Sequence, residues 1–330
     1  MVYILFFEII DLESILCQFI QVTISREINK QGAFVRQEDR FRQWVTADGS
    51  SAYPAVAGRY HLYVSLACPW AHRTIIMRKL KGLENIIGMT AVDPVRDERG
   101  WAFRNGLGCS EDPIKGFRYL SEAYRATDPE FNDRVTVPAL WDKKTGKIIN
   151  NSEDDILRMF NSAFDALTDV KTDYYPALLR GEIDYLNNLI YPTVNDGVYR
   201  AGFAKSQEIY EEAVKKLFET LDMLEKRLAA RRYLIGRQIT EADWKLFVTL
   251  VRFDAVYHFH FKCNLRRISD YAHLQGYLKD LYQQKGIAET VNIDHIKRHY
   301  YMTHPDINPT RIVPIGPELD FLSPHGRDSL

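Results

Sequence analysis

The segment Arg59 to Thr74, RYHLYVSLACPWAHRT, constrains this chain more than any other. Arg59 to Leu66 alternates and is rich in aromatic and β-branched residues, the pattern of a strand. Cys68-Pro69 follows at once, and Ile75, Ile76, Met77 and Leu80 then fall at helical spacing until Gly82 stops the run. Proline is favoured at the first helical position, where its missing N–H would go unpaired anyway. A strand that runs straight into such a helix leaves Cys68 at the positive helix end, beside backbone N–H groups without partners. A thiol there loses its proton more easily, and the thiolate is the nucleophile. Arg73, one turn on, is expected to add positive charge. His72 is a candidate base, or equally a packing residue. The bland alternative, a buried inert cysteine, suits Cys17, Cys109 and Cys263 better, since none has this context. Ala71 stands where a CxxC motif would carry its second cysteine. The thiol that resolves a disulfide on Cys68 must therefore come from outside, as a small cellular thiol would.

The rest of the chain orders itself around that junction. Residues 27–58 read as an irregular, turn-rich lead-in. Ile86 to Val92 is a second strand, and residues 93–134 form a long connection of the kind that is usually functional. Val135 to Trp141 reads as a strand, and Pro138 within it demands an edge, a strand start or a special turn. Lys143 to Gly146 is a hairpin turn with Lys147 to Asn150 returning, and a helix begins after Ser152 with Ile156, Met159 and Phe160 on one face. From about residue 175 the pattern is helical. Gln207 to Ala230, capped by Ser206, carries the stripe Leu217, Leu221, Leu224 and Leu228. Thr240 to Asp243 resembles a capping box. The proline-rich tail from His304 reads as extended. The order β-α-β, long loop, β-β-α, then helices predicts an α+β/all-α two-domain chain, a small mixed sheet joined to a helical domain.

Charge and cysteine usage narrow the function. With 43 basic and 44 acidic residues the formal net charge is −1, which argues against nucleic acid or an anionic membrane as partner. Four scattered cysteines indicate neither a disulfide framework nor a zinc site, and suit a reducing compartment. Met1 to Phe7 is apolar, but Glu8, Asp11 and Glu13 follow and the first basic residue is Arg26. Neither a signal peptide nor a spanning helix is expected, only a short helix or a docked arm. The sequon Asn150-Asn151-Ser152 is discounted accordingly. His295 with His299, and His258 with His260, lack a third ligand, so no metal is expected. No glycine-rich phosphate motif appears, and no nucleotide cofactor is expected. The 19 tyrosines suggest an aromatic-lined pocket.

The motif Gly58 to Thr74 resembles the glutathionyl-hydroquinone reductases, the Xi class of glutathione transferases. So do Arg134 to Pro138, Leu140 to Asp142, Asp196 to Ala204, Ile239 to Trp244, Arg252 to Tyr257 and Ile307 to Pro314. The resemblance runs from about residue 35 to the C-terminus. It implies a thioredoxin-like N-terminal domain and an all-helical glutathione-transferase C-terminal domain. The divisions expected are 1–45, an N-terminal arm; 46–170, the thioredoxin-like glutathione-binding domain; 171–312, the all-helical domain; and 313–330, an extended C-terminal tail. It implies a homodimer that uses glutathione as co-substrate; the cysteine usage, with no signal peptide expected, points to a cytoplasmic location. Cys68 matches the catalytic cysteine, and Pro138 the cis-proline, beside which the Val137 backbone would pair with glutathione as an added strand. Trp101 and Arg134 match positions that hold the tripeptide. Tyr199, Tyr257 and Tyr300 match tyrosines that line the quinone side.

One departure stands out. The family usually has Glu followed by Ser where the helix start receives the γ-glutamyl carboxylate, whereas this chain has Ser152-Glu153. The helix N-terminus still offers N–H groups, and either side chain could make the contact. The expected chemistry is attack of Cys68 on the glutathione sulfur of a glutathionyl-hydroquinone, proton delivery to the ring by pocket tyrosines, and release of the mixed disulfide by a second glutathione. The rival readings are a conjugating transferase, a glutaredoxin-like deglutathionylase or dehydroascorbate-type thiol transferase, and a non-catalytic ligand-binding module. A conjugating enzyme generally activates glutathione with Tyr or Ser. The intact Cys-Pro-Trp-Ala motif argues against the non-catalytic module.

Overall fold

The computed structural model describes residues 27–29 and 32–330. The expected N-terminal helix or docked arm, and Cys17, lie outside them. A short parallel pair, β1 (Val45–Thr46) and β2 (Tyr53–Pro54), leads in. The main sheet has four strands, β3 (Tyr60–Val64), β4 (Gly88–Ala91), β5 (Ala139–Asp142) and β6 (Lys147–Asn150), in the order β4-β3-β5-β6. β3 pairs parallel to β4 and antiparallel to β5, and β5 antiparallel to β6. Every residue of β3 is buried. That is why its sequence is apolar on both faces and its alternation imperfect.

Helix α1 (Pro69–Leu80) is the crossover between β3 and β4, begun by Pro69 and closed where Gly82 takes φ 63°. Pro138 is accommodated because β5 starts one residue after it, with the Val137–Pro138 peptide cis. The long connection is not all loop. It contains α2 (Leu120–Thr127), which the sequence reading missed. Its cap is Tyr119, an unusual choice, although the Glu122 side chain reaches back to the Tyr119 N–H in a capping box. Helix α3 (Glu153–Ser162) follows β6, buries Ile156, Leu157, Met159 and Phe160, and packs against α1.

The remaining chain is helical: α4 (Arg180–Ile190), α5 (Gly197–Gly202), α6 (Gln207–Leu228), α7 (Glu241–Arg252), α8 (Ala272–Tyr282) and α9 (Ile293–Thr303). The leucine stripe of α6 is buried as expected, and Ser206 Oγ accepts the Ile209 N–H at 3.3 Å. Thr240 and Asp243 form the capping box of α7. This helix is buried along its whole length and packs on α1, so it couples the helical half to the sheet. Among the described residues two π-turns interrupt the helices, at Tyr191–Asn195 before α5 and at Phe253–Tyr257 after α7. The π-turns left no mark in the hydrophobic pattern. After His304 the chain is irregular, as expected of the tail.

Among the described residues no helix is long and apolar enough to cross a membrane.

Candidate active site

The β3–α1 junction places Cys68 as the residue before the first helical turn, in extended conformation (φ −75°, ψ 123°). Its sulfur faces the N–H groups of Trp70 and Ala71, and its S–H donates to the Val137 carbonyl at 3.5 Å. The thiol is nevertheless not lowered in pKa. Burial pushes it up, and the two N–H groups and the charges of Arg252 and Arg36 only oppose that push. The expectation of a depressed pKa rested on the helix end, with Arg73 beside it, and left out desolvation. Arg73 does not play the expected part either. It turns to Glu153 at 3.0 Å.

The cation behind the cysteine is Arg252, the last residue of α7. Its guanidinium is wholly buried and donates to the carbonyls of Ala67 (3.0 Å), Leu66 (3.1 Å) and Val248 (2.7 Å), and to His72 Nδ1 (3.0 Å). No ion pair neutralises it among the described residues. Since Arg252 can only donate, His72 Nδ1 accepts, and the Nε2–H is left for Thr290 Oγ1 at 2.8 Å. Both ring nitrogens are thus engaged away from the sulfur. His72 packs here and is not the base.

A cavity of about 160 Å³ opens over Cys68. Tyr199 from α5 and Tyr300 from α9 line it, and Tyr257 stands behind them at the end of a π-turn. The Tyr300 hydroxyl bonds that of Tyr199, and that of Tyr257 at 2.9 Å. Burial raises all three above the ordinary tyrosine value, so they are neutral donors. Three hydroxyl protons serve two mutual bonds, which leaves one to donate outward. The charge of a Cys68 thiolate acts on both Tyr199 and Tyr257, which puts the cluster within electrostatic reach of the sulfur.

The other expected residues gather round the same cavity, with one exception. Trp101 lines it, stacked on His299 at 5.0 Å, and Val137 and Pro138 form its floor. Arg134 lines it too, with its guanidinium engaged by Glu27 and its backbone clasped by the Gln37 amide. Glu153, first residue of α3, is in the wall, and burial with the neighbouring Asp154 raises its carboxyl while Arg73 opposes them. Ser152 is buried behind the wall, its side chain turned to Asp39.

Several residues of the pocket carried no sequence signal. Arg36 and Phe34 come from the lead-in read as irregular. Arg36 lies 3.6 Å over the Trp70 ring and pairs with Asp196 at 2.6 Å, which roofs the cavity. Phe34 packs beside Tyr199 and Phe203. Asp39 and Arg96 also line the site, and Arg96 sits 5.5 Å from the Trp101 ring. His299, considered with His295 for metal, bonds the Pro94 carbonyl at 2.8 Å, and burial lowers its pKa to about 3. His295 bonds the Leu107 carbonyl at 2.6 Å. Isolated positions such as these become meaningful only once the fold brings them together.

Family models of glutathione S-transferases match in both halves, the N-terminal domain over residues 67–163 and the C-terminal domain over residues 207–280. Glutathionyl-hydroquinone reductase YqjG of Escherichia coli (strain K12) is 55% identical over 304 residues, covering 90% of this chain and 93% of that protein. Glutathionyl-hydroquinone reductase PcpF of Sphingobium chlorophenolicum is 51% identical, over 87% of this chain and 90% of its own length. The glutathione-bound structure of YqjG superposes with a TM-score of 0.86, covering 88% of this chain and 96% of that one. A Xi class glutathione transferase from Natrialba magadii, 52% identical, superposes equally well at 0.86, over 88% of this chain and 89% of its own.

Proposed function

The chain belongs to the glutathionyl-hydroquinone reductases, the Xi class of glutathione transferases, and we propose on that footing that Cys68 carries a glutathione-dependent reduction of glutathionyl-hydroquinones. The observation that carries the mechanism is the cavity that brings a helix-start cysteine together with Tyr199 and Tyr300, whose hydroxyls are linked to that of Tyr257 behind them. The ionised fraction of Cys68 attacks the glutathione sulfur of the substrate. The carbon–sulfur bond breaks, its electrons pass to the ring carbon, and the outward proton of the tyrosine cluster is delivered there. Cys68 is left as a mixed disulfide with glutathione. A second glutathione attacks it, and glutathione disulfide leaves.

Glutathione is the ligand of this site. Its glycyl end is assigned to Trp101 and Arg134, and its cysteinyl backbone to Val137 beside Pro138. The γ-glutamyl group is assigned to the start of α3, with Glu153 rather than Ser152 as the side chain in reach, because Glu153 lines the cavity whereas Ser152 is buried with its side chain taken by Asp39. The division into residues 46–170 and 171–312 is proposed with it, supported by the change from sheet to all helix. A homodimer is proposed on the family resemblance, and a cytoplasmic location on the cysteine usage. Turnover of a glutathionyl-hydroquinone with identification of both products tests the reaction. Mass spectrometry after treatment with glutathione disulfide tests the nucleophile. A glutathione adduct on Cys68 is expected, and its absence overturns the reading.

A further inference from the structure

A second cavity, of about 320 Å³, adjoins the site and shares Arg96, Arg134 and Val135 with it. Arg99, Arg125 and Arg311 bring the arginines in its lining to five, of which Arg99 is paired with Asp97 and Arg134 with Glu27. The carboxylates in its wall are taken up by Arg99 and by arginines outside the lining. Asp97 is bonded by Arg99 at 2.7 Å and Arg104 at 2.9 Å, and Asp133 by Arg40 at 3.1 Å. Glu98 stands 3.8 Å from Arg99. Arg96, Arg125 and Arg311 have no ion pair among the described residues. Arg311 is also held at φ 56°, a conformation uncommon for a residue with a side chain, while its Nε–H donates to the Met302 carbonyl at 3.0 Å. The result is a basic mouth with unneutralised charge, beside a site whose reaction consumes a second anionic thiol.

We propose that this arginine-lined cavity docks the second glutathione, the one that resolves the mixed disulfide on Cys68, through its carboxylates. The inference rests on the reading of the function given above. The two cavities are contiguous near the cysteine. Val135, in both cavities, is two residues from Val137, whose carbonyl accepts from the Cys68 sulfur, so at most about 7 Å of chain separates them. An extended tripeptide spans about 10 Å. With the first glutathione linked to Cys68, the second lies with its carboxylates on the arginines and its sulfur toward the disulfide. Its thiolate bonds to the sulfur of the bound glutathione, the bond to Cys68 breaks, and the electron pair returns to the Cys68 sulfur. One disulfide replaces another, and no outside oxidant or reductant enters. The arginines also raise the local concentration of an anionic thiol, an effect that salt screens.

The test separates the half-reactions in the full-length enzyme. Arg125→Gln combined with Arg311→Gln leaves the first cavity intact. Rapid mixing with glutathionyl-hydroquinone should load Cys68 at the parent rate. Resolution of the adduct by glutathione should then fall about tenfold and lose its salt dependence. Resolution by 2-mercaptoethanol, which has no carboxylate, should match the parent, and the double Lys variant should restore most of the glutathione rate. Parent-like resolution by glutathione, or an equal loss with 2-mercaptoethanol, overturns the docking site while leaving the function standing. Failure of Cys68 to form the adduct in the parent overturns the function and this inference together.

Discussion

At the scale of single residues, the proposed nucleophile sits between opposed effects. Burial disfavours the Cys68 thiolate, while Arg252, Arg36 and the N–H groups of Trp70 and Ala71 favour it. Alkylation of Cys68 by iodoacetamide should therefore rise with pH through a midpoint above that of an ordinary thiol. Arg252 favours the charged form, so removing its charge must raise the midpoint further. Arg252→Met is expected to slow alkylation at pH 8, and Arg252→Lys to keep most of the parent profile. A profile unmoved by Arg252→Met would mean that this cation does not act on the sulfur. Cys68→Ser should abolish turnover and leave the circular dichroism spectrum unchanged. For the tyrosines, replacement by Phe keeps the ring and removes only the hydroxyl. Loss of one donor at developing charge costs about 2.7–4 kcal/mol. Tyr300→Phe breaks both mutual bonds and should show the larger loss in kcat on a glutathionyl-hydroquinone, with little change on a small mixed disulfide. Cys68 was legible in the sequence because a strand, a proline and a helix bracket it. Arg252 was not, because nothing local distinguishes a last-turn arginine at a helix surface from one that reaches into the neighbouring half.

Among the elements, helix starts and π-turns do most of the positioning. The start of α3 is the proposed seat of the γ-glutamyl group. Replacing Ser152 and Glu153 together by Ala should raise the KM for glutathione, by a factor equivalent to about 1–3 kcal/mol, with kcat nearly unchanged. An unchanged KM would move that contact elsewhere. Helices with strong stripes, such as α6, could be read from the sequence because burial repeats with the helical period. Helix α2 could not, since it is 8 residues long and is capped by a tyrosine. The π-turns at Tyr191–Asn195 and Phe253–Tyr257 were equally invisible. Each adds a residue to one turn without changing its apolar character. Tyr257 ends one of them and Tyr199 follows shortly after the other.

Over the whole molecule, the two halves are tied by charges as well as by packing. Glu241 at the start of α7 is buried and accepts from Arg158 of α3 at 2.9 Å and from Asn187 of α4 at 3.0 Å. Lys245 stands 3.7 Å away and also pairs with Asp154 at the start of α3. Glu241→Ala would remove the buried carboxylate that Arg158 and Lys245 share, leaving Arg158 with Asp184 and Lys245 with Asp154. The charged hydrogen bonds lost should destabilise the fold by about 1–3 kcal/mol in chemical denaturation, and no measurable loss would show the network to be ornamental. The two-part architecture was legible because strand and helix periods segregate along the chain. How the parts face one another was not, since Glu241 with Arg158, or Arg252 with Ala67, are pairings between positions far apart in sequence. The Arg252 contact bears on how such a chain can be recombined. A guanidinium from one half grips the two carbonyls just before the cysteine of the other, so the reactivity of that cysteine is not a heritable property of its own segment. A chimera that keeps residues 46–170 and borrows the helices of a distant relative would carry every residue of the Cys-Pro-Trp-Ala motif and still own a different thiol.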